Sequence, residues 1–159
     1  MNFENHSLLK LWKRFTHIPM GKHIFSFMIR FWVPYSASTK AQILELEPGY
    51  AKVLLSDHRA VRNHLDCIHA IALSNVGELC SGVAVLATLP EHLRAIVVKV
   101  NTEYFKKARG FIHAEAHVKI PNVKAEKDVK MTTILTDNSG DEVAKTVVTW
   151  RLAPIVANA

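Results

Sequence analysis

The stretch Asn63-His64-Leu65-Asp66-Cys67-Ile68-His69 holds several groups able to do chemistry, and it runs directly into an apolar helical pattern carrying one acid, Glu78. The pattern is apolar on every side, through Ile71, Leu73, Val76, Leu79, Val83, Val85 and Leu86. A helix of that kind is normally buried. A carboxylate inside it costs several kcal/mol unless it is paired or neutralised. Burial raises a carboxyl's pKa, which suits Glu78 to act as a general base near neutrality. The start of the same helix offers unpaired N–H groups and a partial positive charge, suited to a developing oxyanion. Ala70 supplies the candidate backbone N–H there. Ser74 lies one turn before Glu78, on the same helix face.

His69 and Glu78 are nine residues apart, which is about 13 Å along a helix axis. One chain cannot place both on one reacting carbon. Two antiparallel helices related by a twofold can, which predicts a homodimer with two equivalent sites.

The elements around this helix follow from the pattern. Two helical stretches come first, Ser7 to Ile18 and Ile24 to Trp32, separated by Pro19 and Gly21. They read as a helical extension over residues 1–36, with the main domain over 37–159. Ala41, Ile43 and Glu45 alternate with Gln42, Leu44 and Leu46, and Glu47-Pro48-Gly49 makes the turn into a second strand. The central helix spans about His69 to Ala87 and stops before Pro90. Ile96, Val98, Val100, Thr102 and Tyr104 are predicted on one strand face; Ile112, Ala114, Ala116, Val118 and Ile120 form another alternating run. Strands near Val129 to Thr136 and Val143 to Leu152 flank the turn Asp137-Asn138-Ser139-Gly140. The dry face of such a sheet needs the greasy helix against it. The expected class is therefore α+β, an antiparallel sheet wrapped around one long helix, with two short N-terminal helices.

Composition bounds the rest. A chain of 159 residues, 49% apolar and 21% charged, has the make-up of a folded domain. Cys67 and Cys80 have neither metal nor redox spacing, so a reducing cytoplasm is the expected compartment. No uncharged run is long enough to span a membrane. The net charge is +6, and no acid occurs between Asn5 and Leu44 while six Lys or Arg do. Such a field suits phosphates, acidic proteins or anionic lipid. No nucleic-acid-reading motif accompanies it. The aromatic, basic N-terminal helices are expected to pack as a cover, with peripheral membrane contact as the alternative.

Strand, strand, long helix and a meander of strands, together with the motif below, resembles the hotdog-fold acyl-CoA thioesterases over Lys40 to Pro154, especially their PaaI-like branch. That branch has an Asn, a His six residues later followed by Gly-Gly, and an acid nine residues after the His. Asn63, His69 and Glu78 keep both spacings; Ala70-Ile71 stands in place of Gly-Gly, and Glu78 in place of the usual Asp. Val100 to Gly110 is similar to the family's third strand and following turn. The resemblance implies hydrolysis of an acyl-CoA or acyl-carrier-protein thioester at a dimer interface, with Glu78 as base or nucleophile and the Ala70 N–H on the oxyanion. Asn63, His69 and Ser74 complete the expected catalytic set. Leu73 and Phe105 are expected to line the acyl tail, and Lys106, Lys107 and Arg109 to hold nucleotide phosphates or to stay in a solvated turn. Coenzyme A enters only as part of the substrate, with no metal or redox cofactor. Homodimers that pair further into tetramers fit the same scheme. The rival reading is a non-catalytic acyl-CoA or lipid-binding module; hydratase activity is a weaker one. His113, Glu115 and His117, at period two, read as a wet sheet face rather than a metal site.

Overall fold

The computed structural model describes residues 5–155. Three helices lead: α1 (Asn5–Thr16), α2 (Gly21–Trp32) and α3 (Pro34–Ala37). Strands β1 (Gln42–Glu47) and β2 (Tyr50–Ser56) form a hairpin. The long helix α4 (Ala70–Thr88) follows, then β3 (Leu93–Tyr104), β4 (Phe111–His117), β5 (Lys127–Asp137) and β6 (Glu142–Pro154). Helix α1 begins at Asn5, two residues before the expected start at Ser7, and ends at Thr16.

All six strands join one antiparallel sheet in the order β1-β2-β4-β5-β6-β3. Its concave face wraps α4, whose Val76, Cys80, Ala84 and Val85 are fully buried. That is the hotdog arrangement. By length and composition α4 is apolar enough to cross a bilayer; here the sheet supplies its apolar surroundings.

Close approach of helix to sheet depends on Gly77. A Cβ there would collide with Thr146 Oγ1, and the Thr133 hydroxyl donates to the Gly77 carbonyl at 2.8 Å. Farther along, Trp150 Nε1 donates to Ser81 Oγ at 3.2 Å. The Cys80 thiol donates to the carbonyls of Ala51 and Ala114, 3.3 Å each. Burial pushes that thiol's pKa well up, which makes Cys80 a core residue and not a nucleophile.

Two strands depart from simple alternation, each at a bulge. In β1 the register shifts between Ile43 and Glu45. Ile43 and Leu46 are buried and Glu45 is exposed, where an unbroken strand would turn Glu45 inward. In β3 the shift lies between Val97 and Lys99. Leu93, Ala95 and Val97 face the core before it, and Thr102 and Tyr104 reach α4 after it. Ile96 and Val98 point outward and are exposed. The predicted single face Ile96–Tyr104 is therefore two faces. One inserted residue reverses the parity of everything beyond it, and period-two reading cannot detect it.

The N-terminal helices share the main core. Trp12 packs edge-on against Phe25 with ring centroids 5.0 Å apart. Leu8, Trp12, Phe25 and Ile29 are buried within the cluster that also holds α4 and the sheet. Ser26 Oγ accepts from the Ile43 amide at 2.9 Å, which ties α2 to β1.

Candidate functional site

The segment Arg62–His69 is a tight loop closed by its own asparagine. Asn63 Oδ1 accepts from the Leu65 amide at 2.9 Å, and from the Cys67 amide and thiol at 3.4 Å each. The Asn63 amide donates to the Cys67 carbonyl at 2.9 Å. Among the described residues Nδ2 of Asn63 is left as the free donor. Asp66 takes a left-handed backbone, φ 53, a conformation that Asp tolerates better than most residues.

His69 is the N-cap of α4. Its Nδ1 accepts from the Ile71 amide at 3.1 Å, so the neutral ring carries its proton on the exposed Nε2. Its own amide donates to the Val61 carbonyl at 2.7 Å. The cap satisfies the second amide of the helix and leaves the first, that of Ala70, without an intrahelical acceptor. The Tyr104 hydroxyl donates to the Ala70 carbonyl at 3.0 Å, fixing this turn from β3.

Ile71, Ser74, Asn75 and Glu78 form the helix stripe that the sheet does not cover. Two adjoining cavities run along it. One, of about 200 Å³, is lined by Arg62, His69, Ile71 and Asn75 with Tyr35 and Thr39. The other, of about 340 Å³, is lined by Ile71, Ser74, Asn75 and Glu78 with Tyr35, Ser36 and Val100. Glu78 is half-buried, and its carboxylate has no hydrogen bond or ion pair among the described residues. Burial alone raises its pKa.

Ser74 Oγ lies 2.8 Å from Thr102 Oγ1, which is 3.1 Å from Thr146 Oγ1. The chain of hydroxyls ties Ser74 to the sheet; Ser74 also lines the Glu78 cavity. Asn75 Nδ2 donates to Ser36 Oγ at 3.1 Å, while its buried Oδ1 has no partner. Sequence reading gives Tyr35 and Asn75 no role at the site, and places Thr102 and Tyr104 on a strand face without their contacts to α4. Only the helix stripe Ile71–Ser74–Asn75–Glu78 could have signalled Asn75.

The remaining expected site residues are dispersed. Leu73 is buried in the core and lines neither cavity. Phe105 is exposed and also lines neither. Lys106 pairs with Asp137 and Asp141, 2.7 Å each. Arg109 Nε and Nη2 donate to the carbonyls of Asp66 and Leu65 at 3.1 and 3.4 Å, bracing the Asn63 loop from the next turn. Lys107 is exposed and has no protein partner among the described residues. Arg62 holds Asp57 at 2.7 Å and Asp66 at 2.9 Å, and its guanidinium keeps the Asp57 carboxyl below the usual range. Glu115 pairs with Lys52 at 2.8 Å, and the Tyr50 and His117 rings stack at 4.8 Å. Among the described residues no group of three His, Cys, Asp or Glu is placed to hold a metal.

Comparison with known proteins agrees with this architecture. The family model DUF4442, a domain of unknown function, matches residues 21–152. No curated protein matches in sequence. The crystal structure of the structural-genomics protein APC5556 superposes with a TM-score of 0.81 at 29% identity, covering 94% of this chain and 99% of that one. A Pseudomonas aeruginosa protein of unknown function, PA5026, carries the description "Probable Thioesterase". It superposes with a TM-score of 0.75 at 20% identity, covering 87% and 97%. A Staphylococcus aureus thioesterase, SAV0944, gives 0.66 at 14% identity, covering 76% and 99%. At these last two identities the likeness is one of fold.

Proposed function

We propose that this chain, which belongs to the DUF4442 family and has the fold of the hotdog thioesterase-like superfamily, hydrolyses an acyl thioester. The observation that carries the reading is Glu78: a half-buried carboxylate with no counter-charge among the described residues, opening onto a cavity along α4. An unpaired buried acid is costly to keep. A raised pKa makes it an effective proton acceptor near neutrality.

In this reading Glu78 takes a proton from water as the water oxygen bonds to the thioester carbonyl carbon. The oxyanion is met by the Ala70 N–H at the positive end of α4. Collapse breaks the C–S bond, the departing sulfur takes the proton back from Glu78, and a carboxylic acid and a thiol are released. Asn63 Nδ2 is the loop's spare donor to substrate, and His69 is a positioning residue through its cap. The carrier is coenzyme A or an acyl carrier protein, either of which suits the +6 chain.

Ala70 and Glu78 of one helix are too far apart to serve one carbonyl. The proposal therefore includes a homodimer, with the Ala70 turn of one protomer opposite Glu78 of the partner subunit. The edge strand β3 supports it. It is 12 residues long, lies at the free end of the sheet, and exposes Ile96, Val98 and Val100. A long apolar edge of that kind invites pairing with a second copy.

The test is thiol release from a panel of acyl-CoA thioesters by the purified full chain. Turnover is expected, and Glu78→Gln is expected to abolish it. Undiminished turnover in that variant rejects the assignment. A second reading, acyl-CoA binding without hydrolysis, is favoured by one observation. The Ile71 side chain lines both cavities, at a position where the thioesterases this chain resembles have glycine. Tight binding with no thiol released would select it.

A further inference from the structure

Helix α2 presents two apolar faces, of which the fold uses one. Phe25 and Ile29 are buried in the core. Met20, Ile24, Phe27, Phe31 and Tyr35 recur at steps of four and three residues and stand out on the surface. Met20 is 72% exposed, Phe27 66%, Phe31 79% and Tyr35 73%. Isolated exposed apolar residues need no explanation, but Ile24, Phe27 and Phe31 in helical register on α2, continued by Met20 at its N-cap and Tyr35 in α3, do.

We infer that this ridge is a contact surface for an anionic lipid bilayer. The Met20–Tyr35 ridge within a segment that carries cations and no acid is the juxtaposition on which the inference stands. Lys40 is exposed, Lys22 is exposed with its Nζ 5.9 Å over the Trp12 ring on the α1 side of the helix, and Arg30 is half-buried with its Nε held by the Ser26 carbonyl at 3.3 Å. No acid lies between Asn5 and Leu44 to offset them. Aromatics in a segment that has cations and no acid fit the boundary between acyl chains and acidic headgroups; Glu78 of α4 meets the ridge at its end, in the cavity that Tyr35 lines. A second copy of the chain fits worse, because a twofold contact would set like charges against each other. Most of the ridge lies away from the sheet's own edge for self-pairing: α2 packs on β1, β3 is the other end of the strand order, and Tyr35 at the ridge's end is the member that shares a cavity with Val100 of β3.

The helix is also held in advance. Its inner face is locked into the core by Phe25 and by the Ser26–Ile43 bond, so the ridge docks without a folding cost. Tyr35 ends the ridge and lines both cavities along α4. A bilayer held there lies at the mouth of the groove. The inference stands whether or not the groove hydrolyses anything.

The test uses the full chain with phosphatidylcholine vesicles, with and without phosphatidylglycerol. Sedimentation with the anionic vesicles is expected, weakening as salt rises. Phe27→Ser with Phe31→Ser is expected to lower the partition by about tenfold or more, with an unchanged melting curve. Should the double variant lose its cooperative melt, Phe31→Ser alone decides. Absence of sedimentation with anionic vesicles, or equal partition of wild type and variant, overturns the inference. So does a variant that changes the molecular mass in light scattering while vesicle partition stays the same, because the ridge is then a contact between copies.

Discussion

The Tyr104 hydroxyl donates to the Ala70 carbonyl across 3.0 Å, tying the end of edge strand β3 to the first turn of α4. The residue whose N–H is assigned to the oxyanion is therefore held by β3. Tyr104→Phe removes only the tether. Loss of about 0.5–1.5 kcal/mol of stability is expected from one exposed hydrogen bond. The functional loss is expected in kcat more than in KM, because the amide contributes most when charge develops. A change in KM alone would remove Tyr104 from the positioning scheme.

Glu78 links pH to stability with a definite sign. Its folded pKa is raised by burial. Its contribution is therefore fully present below the unfolded carboxyl range and is lost as pH rises through the folded pKa. Glu78→Gln carries no charge to bury. The variant is expected to melt higher than wild type at pH 8 and equally at pH 4, while being inactive. A variant that melts lower at pH 8 would mean that Glu78 has a stabilising partner when folded.

Arg109 and Lys107 should separate cleanly. Arg109 braces the Asn63 loop through two carbonyls, so Arg109→Ala is expected to lower both stability and kcat, by roughly 1–2 kcal/mol and up to tenfold. Lys107 has no such tie. Lys107→Ala is expected to raise KM for acyl-CoA at low salt only. Calorimetry and kinetics at two ionic strengths check both.

Gly77 is the tightest point of the helix–sheet contact, since any Cβ would meet Thr146. Gly77→Ala is expected to destabilise by about 1–3 kcal/mol through overpacking. Thr146→Ala in the same chain should return part of that. Additive losses in the double-mutant cycle would place the strain elsewhere.

Asn75 keeps an unpartnered buried Oδ1 where the two cavities meet. Asn75→Ala is expected to raise KM for pantetheine thioesters about tenfold, a scale set by one lost hydrogen bond to substrate. The melting temperature should hardly move. A fall in stability with unchanged KM would make Asn75 a bond to Ser36 and nothing more.

The sequence by itself determined the element order, the single long helix, and the place of an isolated acid within it. Hydrophobic periodicity and helix breakers are local properties, legible one segment at a time: the apolar run from about His69, Pro90 after it, and Ile112 to Val118 alternating inward. Only the tertiary structure decided which atoms of those residues are free. Asn63 spends its oxygen on its own loop and His69 spends Nδ1 on a cap, short-range bonds that depend on how the folded loop is held, and Arg109 turns to the carbonyls of Asp66 and Leu65, far from it in the chain. The bulge after Val97 likewise turns Thr102 and Tyr104 onto α4, because strand pairing with β6 fixes a register that no local pattern encodes.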